Sequence, residues 1–131
     1  MKVGHLAVYT DNMEKSVAFY KLLGAKEGDR SLLDIGGGRT KDLFHMVFDG
    51  EVTVELIEPS DHSMIPRGVG IGEHFCFVVD DVDAKVAELR ALGIDSFDRE
   101  APSEKPIFGG VKLIFFTGPN GELIELLQEH L

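Results

Sequence analysis

The sequence predicts an α+β fold built from two tandem β-α-β-β-β units, and three observations carry that prediction. The halves repeat one another at a shift of 69 residues, each half runs through the same order of strand and helix patterns, and each ends on a strand introduced by a hairpin signal. The shift lays His5–Leu6–Ala7–Val8–Tyr9–Thr10–Asp11 over His74–Phe75–Cys76–Phe77–Val78–Val79–Asp80, matches Val17–Ala18 to Val86–Ala87 and Leu23–Gly24 to Leu92–Gly93, and gives six identities in twenty positions. With one further residue of slip, Val54–Glu55–Leu56–Ile57 overlays Ile124–Glu125–Leu126–Leu127. Each half therefore opens on a histidine and closes on a glutamate. A chain of 131 residues holds one domain, or two very small halves sharing a core. We read 1–131 as a single domain, with a first unit at 1–58, a linker at 59–72 and a second unit at 73–131.

Taken in order, His5 to Tyr9 and His74 to Val79 are β-branched and aromatic runs of strand length, each followed by an acidic residue suited to capping a helix. Met13, Val17 and Tyr20 recur at i, i+4 and i+7, as do Val82, Val86 and Leu89, giving one apolar stripe per helix. Gly24 and Gly93 fall where a left-handed cap ends each helix. Strands follow at Ser31–Ile35, Leu43–Phe48 and Val52–Glu58, then at Val111–Phe116 and Glu122–Leu127, with a weaker one at Ser96–Asp98. Asp49–Gly50 and Asn120–Gly121 are two-residue hairpin signals. Gly36–Gly37–Gly38 lacks the following Lys-Ser/Thr of a phosphate loop and reads as a flexible turn. Asp80, Asp81 and Asp83 lack calcium-loop spacing and read as helix-start capping.

Composition narrows the function. The chain carries 13 Lys and Arg against 23 Asp and Glu, a net charge of −10, and none of the basic residues forms a run. A nucleic-acid partner is therefore not expected, because neutralising phosphates needs clustered cations. Apolar runs such as Cys76–Phe77–Val78–Val79 are far shorter than the ~20 residues of a membrane span, so no membrane partner is expected. Without a visible signal peptide, the expected setting is cytoplasmic. The lone Cys76 lies in an apolar run and reads as a small buried hydrophobe.

Period two along a strand places His5 on one face with Val3, Ala7 and Tyr9, Glu55 with Thr53 and Ile57, His74 with Cys76 and Val78, and Glu125 with Leu123 and Leu127. A carboxylate flanked by apolar side chains is costly unless it is paired or metal-bound. Two His and two Glu at equivalent places in two repeats converge if the repeats close around a pseudo-two-fold axis. Solvent-facing roles would not require both His to open a half and both Glu to close one. Of the remaining histidines, His45 lies in an apolar strand without a counterpart in the second half, His62 lies in the linker and His130 is terminal, and these take structural or surface roles.

The pattern resembles the vicinal oxygen chelate superfamily and, within it, glyoxalase I, the lactoylglutathione lyase. The carriers are His5 opening HLAVYTDNMEKSVAFYKLLGA, Glu55 in VELIEP, His74 opening HFCFVVDDVDAKVAELRALGI and Glu125 in GPNGELIELLQ. The resemblance implies two βαβββ units forming a curved mixed sheet around one divalent metal per chain, held by His5, Glu55, His74 and Glu125. Nickel or zinc is expected first, with cobalt or manganese as further options. The implied reaction is proton transfer through a metal-stabilised enediolate on the hemithioacetal of a 2-oxoaldehyde and a thiol, with Glu125 or Glu55 as the base. It also implies a homodimer.

Two positions depart from the glutathione-using members. Tyr9 stands where they commonly carry Arg, and Asp81 where they tend to carry Asn, which removes contacts to the carboxylates of glutathione. Arg67, Arg99, Lys105 and Phe108, together with Met64 and Ile65, lie where loops border a substrate cavity, the cations being suited to a carboxylate or phosphate. Methylmalonyl-CoA epimerase is the rival family, similar at ELIEP and HFCFVVDDVDA. A small-molecule binding or resistance protein of the same fold is the reading from outside enzymology.

Overall fold

The repeat becomes visible at the two helices, which occupy positions separated by the same 69 residues as the sequence match. The structure, a computed structural model, describes residues 5–66, 74–107 and 110–129. In the first repeat the order is β1 (Leu6–Tyr9), α1 (Met13–Leu22), β2 (Lys26–Gly36), β3 (Arg39–Phe48) and β4 (Val52–Pro59). In the second it is β5 (Phe75–Val78), α2 (Val82–Ala91), β6 (Ser103–Lys105), β7 (Val111–Thr117) and β8 (Leu123–Glu129). Each repeat forms its own four-stranded mixed sheet, ordered β1-β4-β3-β2 and β5-β8-β7-β6. The first strand of each lies parallel to the last, while the other pairs are antiparallel. The chain packs as two units, Met1–Val69 and Gly70–Leu131.

Helix starts and stops follow one local chemistry in both repeats. Asn12 caps α1 by accepting from the Lys15 N–H at 3.0 Å, and Asp81 caps α2 by accepting from the Ala84 N–H at 3.0 Å, the capping role expected of the acidic cluster. The last strand supplies a second acceptor. Glu58 takes the Met13 N–H at 2.8 Å and Gln128 takes the Val82 N–H at 2.9 Å, so each helix N-terminus is tied to the strand that carries the repeat's glutamate. Both helices end in a Schellman motif. Ala25 and Ile94 donate back to Tyr20 and Leu89, with Gly24 and Gly93 at φ of 100°, a conformation that favours glycine.

One sheet face is packed against each helix. Tyr20, Met46 and Leu56 are fully buried in the first repeat, with Phe44 and Val54 nearly so; Val82, Ile114, Phe116 and Ile124 are fully buried in the second. The expected stripe of α2, Val82, Val86 and Leu89, is buried throughout. In α1 the buried residues are Met13, Ser16 and Tyr20, and Val17 is half-buried. Ser16 is accommodated because its hydroxyl donates to Thr10 Oγ1 at 2.8 Å, which removes the cost of burying it.

Three local expectations are corrected. Ser96–Asp98 forms only an isolated bridge, Phe97 to Phe116, and the edge strand of the second sheet is instead Ser103–Lys105, a polar tripeptide without strand periodicity. Asp49 and Gly50 lie at the expected turn, both at positive φ, in a loop of three residues that also takes in Glu51, with Phe48 pairing to Val52. Asn120–Gly121 instead belongs to a five-residue loop, closed by the Gly118 N–H donating to Glu122 O at 2.9 Å. The Glu122 side chain competes for the turn by accepting from the Asn120 N–H at 2.7 Å. Cys76 is an exposed residue rather than a buried one, because it stands on the face of β5 away from α2's buried contacts. The Gly36–Gly37–Gly38 turn is as expected, all three at positive φ. Of the linker, Pro59 ends β4 and His62–Met64 form a 3-10 turn; residues 67–72 lie outside the described residues.

Candidate metal centre

The sheet face opposite the packed helix carries the polar chemistry of each repeat. In the first, β4 lies between β1 and β3, and Glu55 pairs in register with Ala7 on one side and His45 on the other. His5 precedes Ala7 by two residues and so shares its face. The side chains meet. Glu55 Oε2 stands 3.6 Å from His5 Nε2 and 2.8 Å from His45 Nε2, and the two imidazole centroids are 5.5 Å apart. Glu55 is mostly buried, with its side chain 14% exposed, while His5 and His45 are 43% and 31% exposed.

The second repeat rebuilds this arrangement with one change. Glu125 pairs with Cys76 on β5 and with Phe115 on β7. His74 Nε2 lies 3.6 Å from Glu125 Oε1, the same separation as His5 and Glu55. Where the first repeat has His45 the second has Phe115, whose ring packs edge-on to His74 at 5.3 Å. Cys76 lies beside the carboxylate. Desolvation of its thiol, together with the hydrogen bond it makes to Glu125, pushes its pKa up to about 12, so it stays protonated.

The 3.6 Å separation is too long for a hydrogen bond. Two donors bound at about 2.0–2.2 Å to one ion stand roughly 3.0–3.4 Å apart, so a shift of a few tenths of an ångström brings each His–Glu pair to ligand spacing. Imidazole nitrogen with carboxylate oxygen suits a borderline divalent ion such as nickel, zinc, cobalt or manganese. The residues present therefore fit a metal.

His45 is the functional candidate that sequence reasoning assigned to structure. The hairpin signal alone does not find it: a two-residue Asp49–Gly50 turn pairs Phe48 with Glu51 and His45 with Val54, whereas the loop also takes in Glu51, so that Phe48 pairs with Val52 and His45 with Glu55. His62 binds Glu58 at 2.8 Å, outside this face, while His130 lies outside the described residues.

The expected substrate contacts are scattered. Arg99 Nη1 donates to Ser103 Oγ at 3.2 Å and Nη2 pairs with Asp98 at 3.3 Å, holding the side chain along its own loop. Lys105 pairs with Val111 on the edge strand, four residues along β7 from Phe115, or roughly 13 Å at about 3.3 Å per residue. Ile65 is buried in its own unit, and Met64 lies 3.7 Å from the Arg39 guanidinium. Arg67 and Phe108 lie outside the described residues. Lys41 Nζ, by contrast, stands over the Tyr9 ring at 5.8 Å, on the face that bears His45.

A family model described as the Glyoxalase/Bleomycin resistance protein/Dioxygenase superfamily matches residues 4–115, a span that contains His5, His45, Glu55 and His74. The chain belongs to this superfamily. A glyoxalase family protein from Bacillus cereus is similar in structure, with a TM-score of 0.75 and 20% identity over 100% of this chain and 95% of that one. Another from Enterococcus faecalis gives 0.72 and 21% over 96% of each chain. The genomically encoded fosfomycin resistance protein FosX of Listeria monocytogenes gives 0.66 and 19%, over 100% of this chain and 95% of that one. At these identities the likeness is one of fold. No curated protein matches the sequence. Superfamily members of this fold include enzymes acting on small molecules, and a divalent metal is typical of them. Among the described residues no helix is long and apolar enough to cross a membrane.

Proposed function

We propose that the protein is a metal-dependent enzyme of glyoxalase I type, moving a proton between adjacent carbons of a 2-oxoaldehyde–thiol hemithioacetal. The observation that carries this reading is the recurrence, in both repeats, of an imidazole 3.6 Å from a strand carboxylate at equivalent positions. His5, Glu55, His74 and Glu125 are the proposed ligands of one divalent ion per chain, nickel or zinc first. Such an ion supplies Lewis-acid stabilisation of the negative charge that develops on substrate oxygen. Glu125 accepts the proton from carbon and returns it to the neighbouring carbon. We assign this role to Glu125 over Glu55 because an imidazole already stands 2.8 Å from Glu55, whereas Phe115 faces Glu125. The Cys76 thiol, protonated and adjacent, is a donor that orients the Glu125 carboxylate without competing for the proton.

Lys41 beside Tyr9 returns a positive charge near the position where glutathione-using relatives carry Arg, which favours a thiol bearing a carboxylate. The test is turnover of methylglyoxal by nickel- and zinc-loaded protein with glutathione, with thiols lacking carboxylates, and separately of racemic methylmalonyl-CoA. Turnover with a carboxylate-bearing thiol supports the reading; epimerisation of the acyl-CoA alone replaces it with the epimerase reading. No metal-dependent proton exchange in any arm leaves a binding protein.

We further propose a homodimer. Leu6 on edge strand β1 and Leu32 and Leu33 on edge strand β2 are exposed, apolar side chains that a second copy covers. With a charge of −10 per chain, association must rest on apolar area, so it should persist or strengthen as salt screens the repulsion. Sedimentation at micromolar protein in low and high salt reads this directly. A monomer under both conditions contradicts it.

A further inference from the structure

We propose that His45 is itself a metal ligand, completing with His5 and Glu55 a two-histidine, one-carboxylate face within the first repeat that the second repeat lacks. The inference rests on the reading that an ion binds at His5 and Glu55. Its own basis is geometric. The ligand atoms of His5, His45 and Glu55 all lie within 4.8 Å of one another, the one such group of three among the described residues. His45 Nε2 is 2.8 Å from Glu55 Oε2, the spacing of neighbouring donors around one ion as well as that of a hydrogen bond.

The repeats differ in what stands beside the glutamate. Glu125 has the Cys76 thiol on one side and Phe115 on the other, whereas β3 offers Glu55 the imidazole of His45, a donor suited to a divalent transition ion. The imidazole is present on one side only, and there it stands within reach of a second imidazole and a largely buried carboxylate. Two imidazoles and one carboxylate on a single face leave further positions open, the arrangement that suits nitrogen-preferring divalent transition ions. The first repeat thus offers an ion one more nitrogen donor than the second.

Cobalt(II), titrated into the full chain and followed by its visible absorption, tests this without reference to turnover. His45→Phe installs the residue that the second repeat already carries at this position. It should weaken cobalt binding by at least about 10-fold and shift the absorption band as a nitrogen donor is lost. His45→Gln keeps an N–H able to donate to Glu55 but offers a poor ligand, and it should behave like His45→Phe. Unchanged affinity and spectrum in His45→Phe overturn the proposal, as does recovery of both in His45→Gln, which would make His45 a positioning residue. His5→Ala serves as the reference. If it loses cobalt while His45→Phe does not, only the role of His45 fails; if neither loses it, the metal reading of the whole face fails.

Discussion

A His74→Ala chain is expected to emerge from chelator-free purification with most of its metal gone, against about one ion per chain in the unaltered protein. The magnitude follows from ligand count. Disturbing a partner that merely orients a ligand costs 10–100-fold in affinity, so deleting a ligand outright should cost at least about 100-fold. The substitution is mild for the fold, because His74 precedes β5 and is an exposed residue. Elemental analysis of the unaltered chain, His74→Ala and Glu55→Gln reads the result. Full retention after replacing any two of His5, Glu55, His74 and Glu125 would contradict the assignment.

Glu125→Gln should lower turnover per bound ion by about 10²–10⁴, the range that a positioned general base contributes. Glutamine preserves size and hydrogen bonding while removing basicity, so the effect isolates proton transfer from packing around a nearly buried side chain. Metal content has to be measured beside turnover, because Glu125 is also a proposed ligand. Glu55→Gln should lose metal more than it loses turnover per ion. Equal losses of turnover per ion in the two variants would remove the distinction drawn from His45 and Phe115.

What the sequence made legible, and what it did not, divides along physical lines. The helices and their ends were readable because apolar spacing, Asn12 and Asp81 as caps and Gly24 and Gly93 as stops are local signals, and local hydrogen bonds realise them. The edge strand Ser103–Lys105 was not, because its place is set by pairing with Val111–Leu113 rather than by any pattern of its own. The meeting of His45 with Glu55 was hidden for a related reason. It depends on the register of a hairpin, and comparison of the repeats by sequence shift does not show it, since a unique residue has no partner to match. Cys76 was misread because an apolar run states only that a strand forms, and not which of its faces is covered. The equivalence of Glu55 and Glu125 survived every one of these errors, because strand order and register are the same in both repeats.

The central claim is that one divalent ion is held by the paired histidines and glutamates. Anomalous diffraction at the metal absorption edge, from crystals of nickel- or zinc-loaded protein, tests it most directly. The account predicts a single strong peak per chain, bound at about 2.0–2.2 Å by imidazole nitrogens of His5 and His74 and by carboxylate oxygens of Glu55 and Glu125. A peak remote from these four residues, or no peak, would contradict it, whereas His45 Nε2 as an additional donor agrees with the inference drawn for the first repeat.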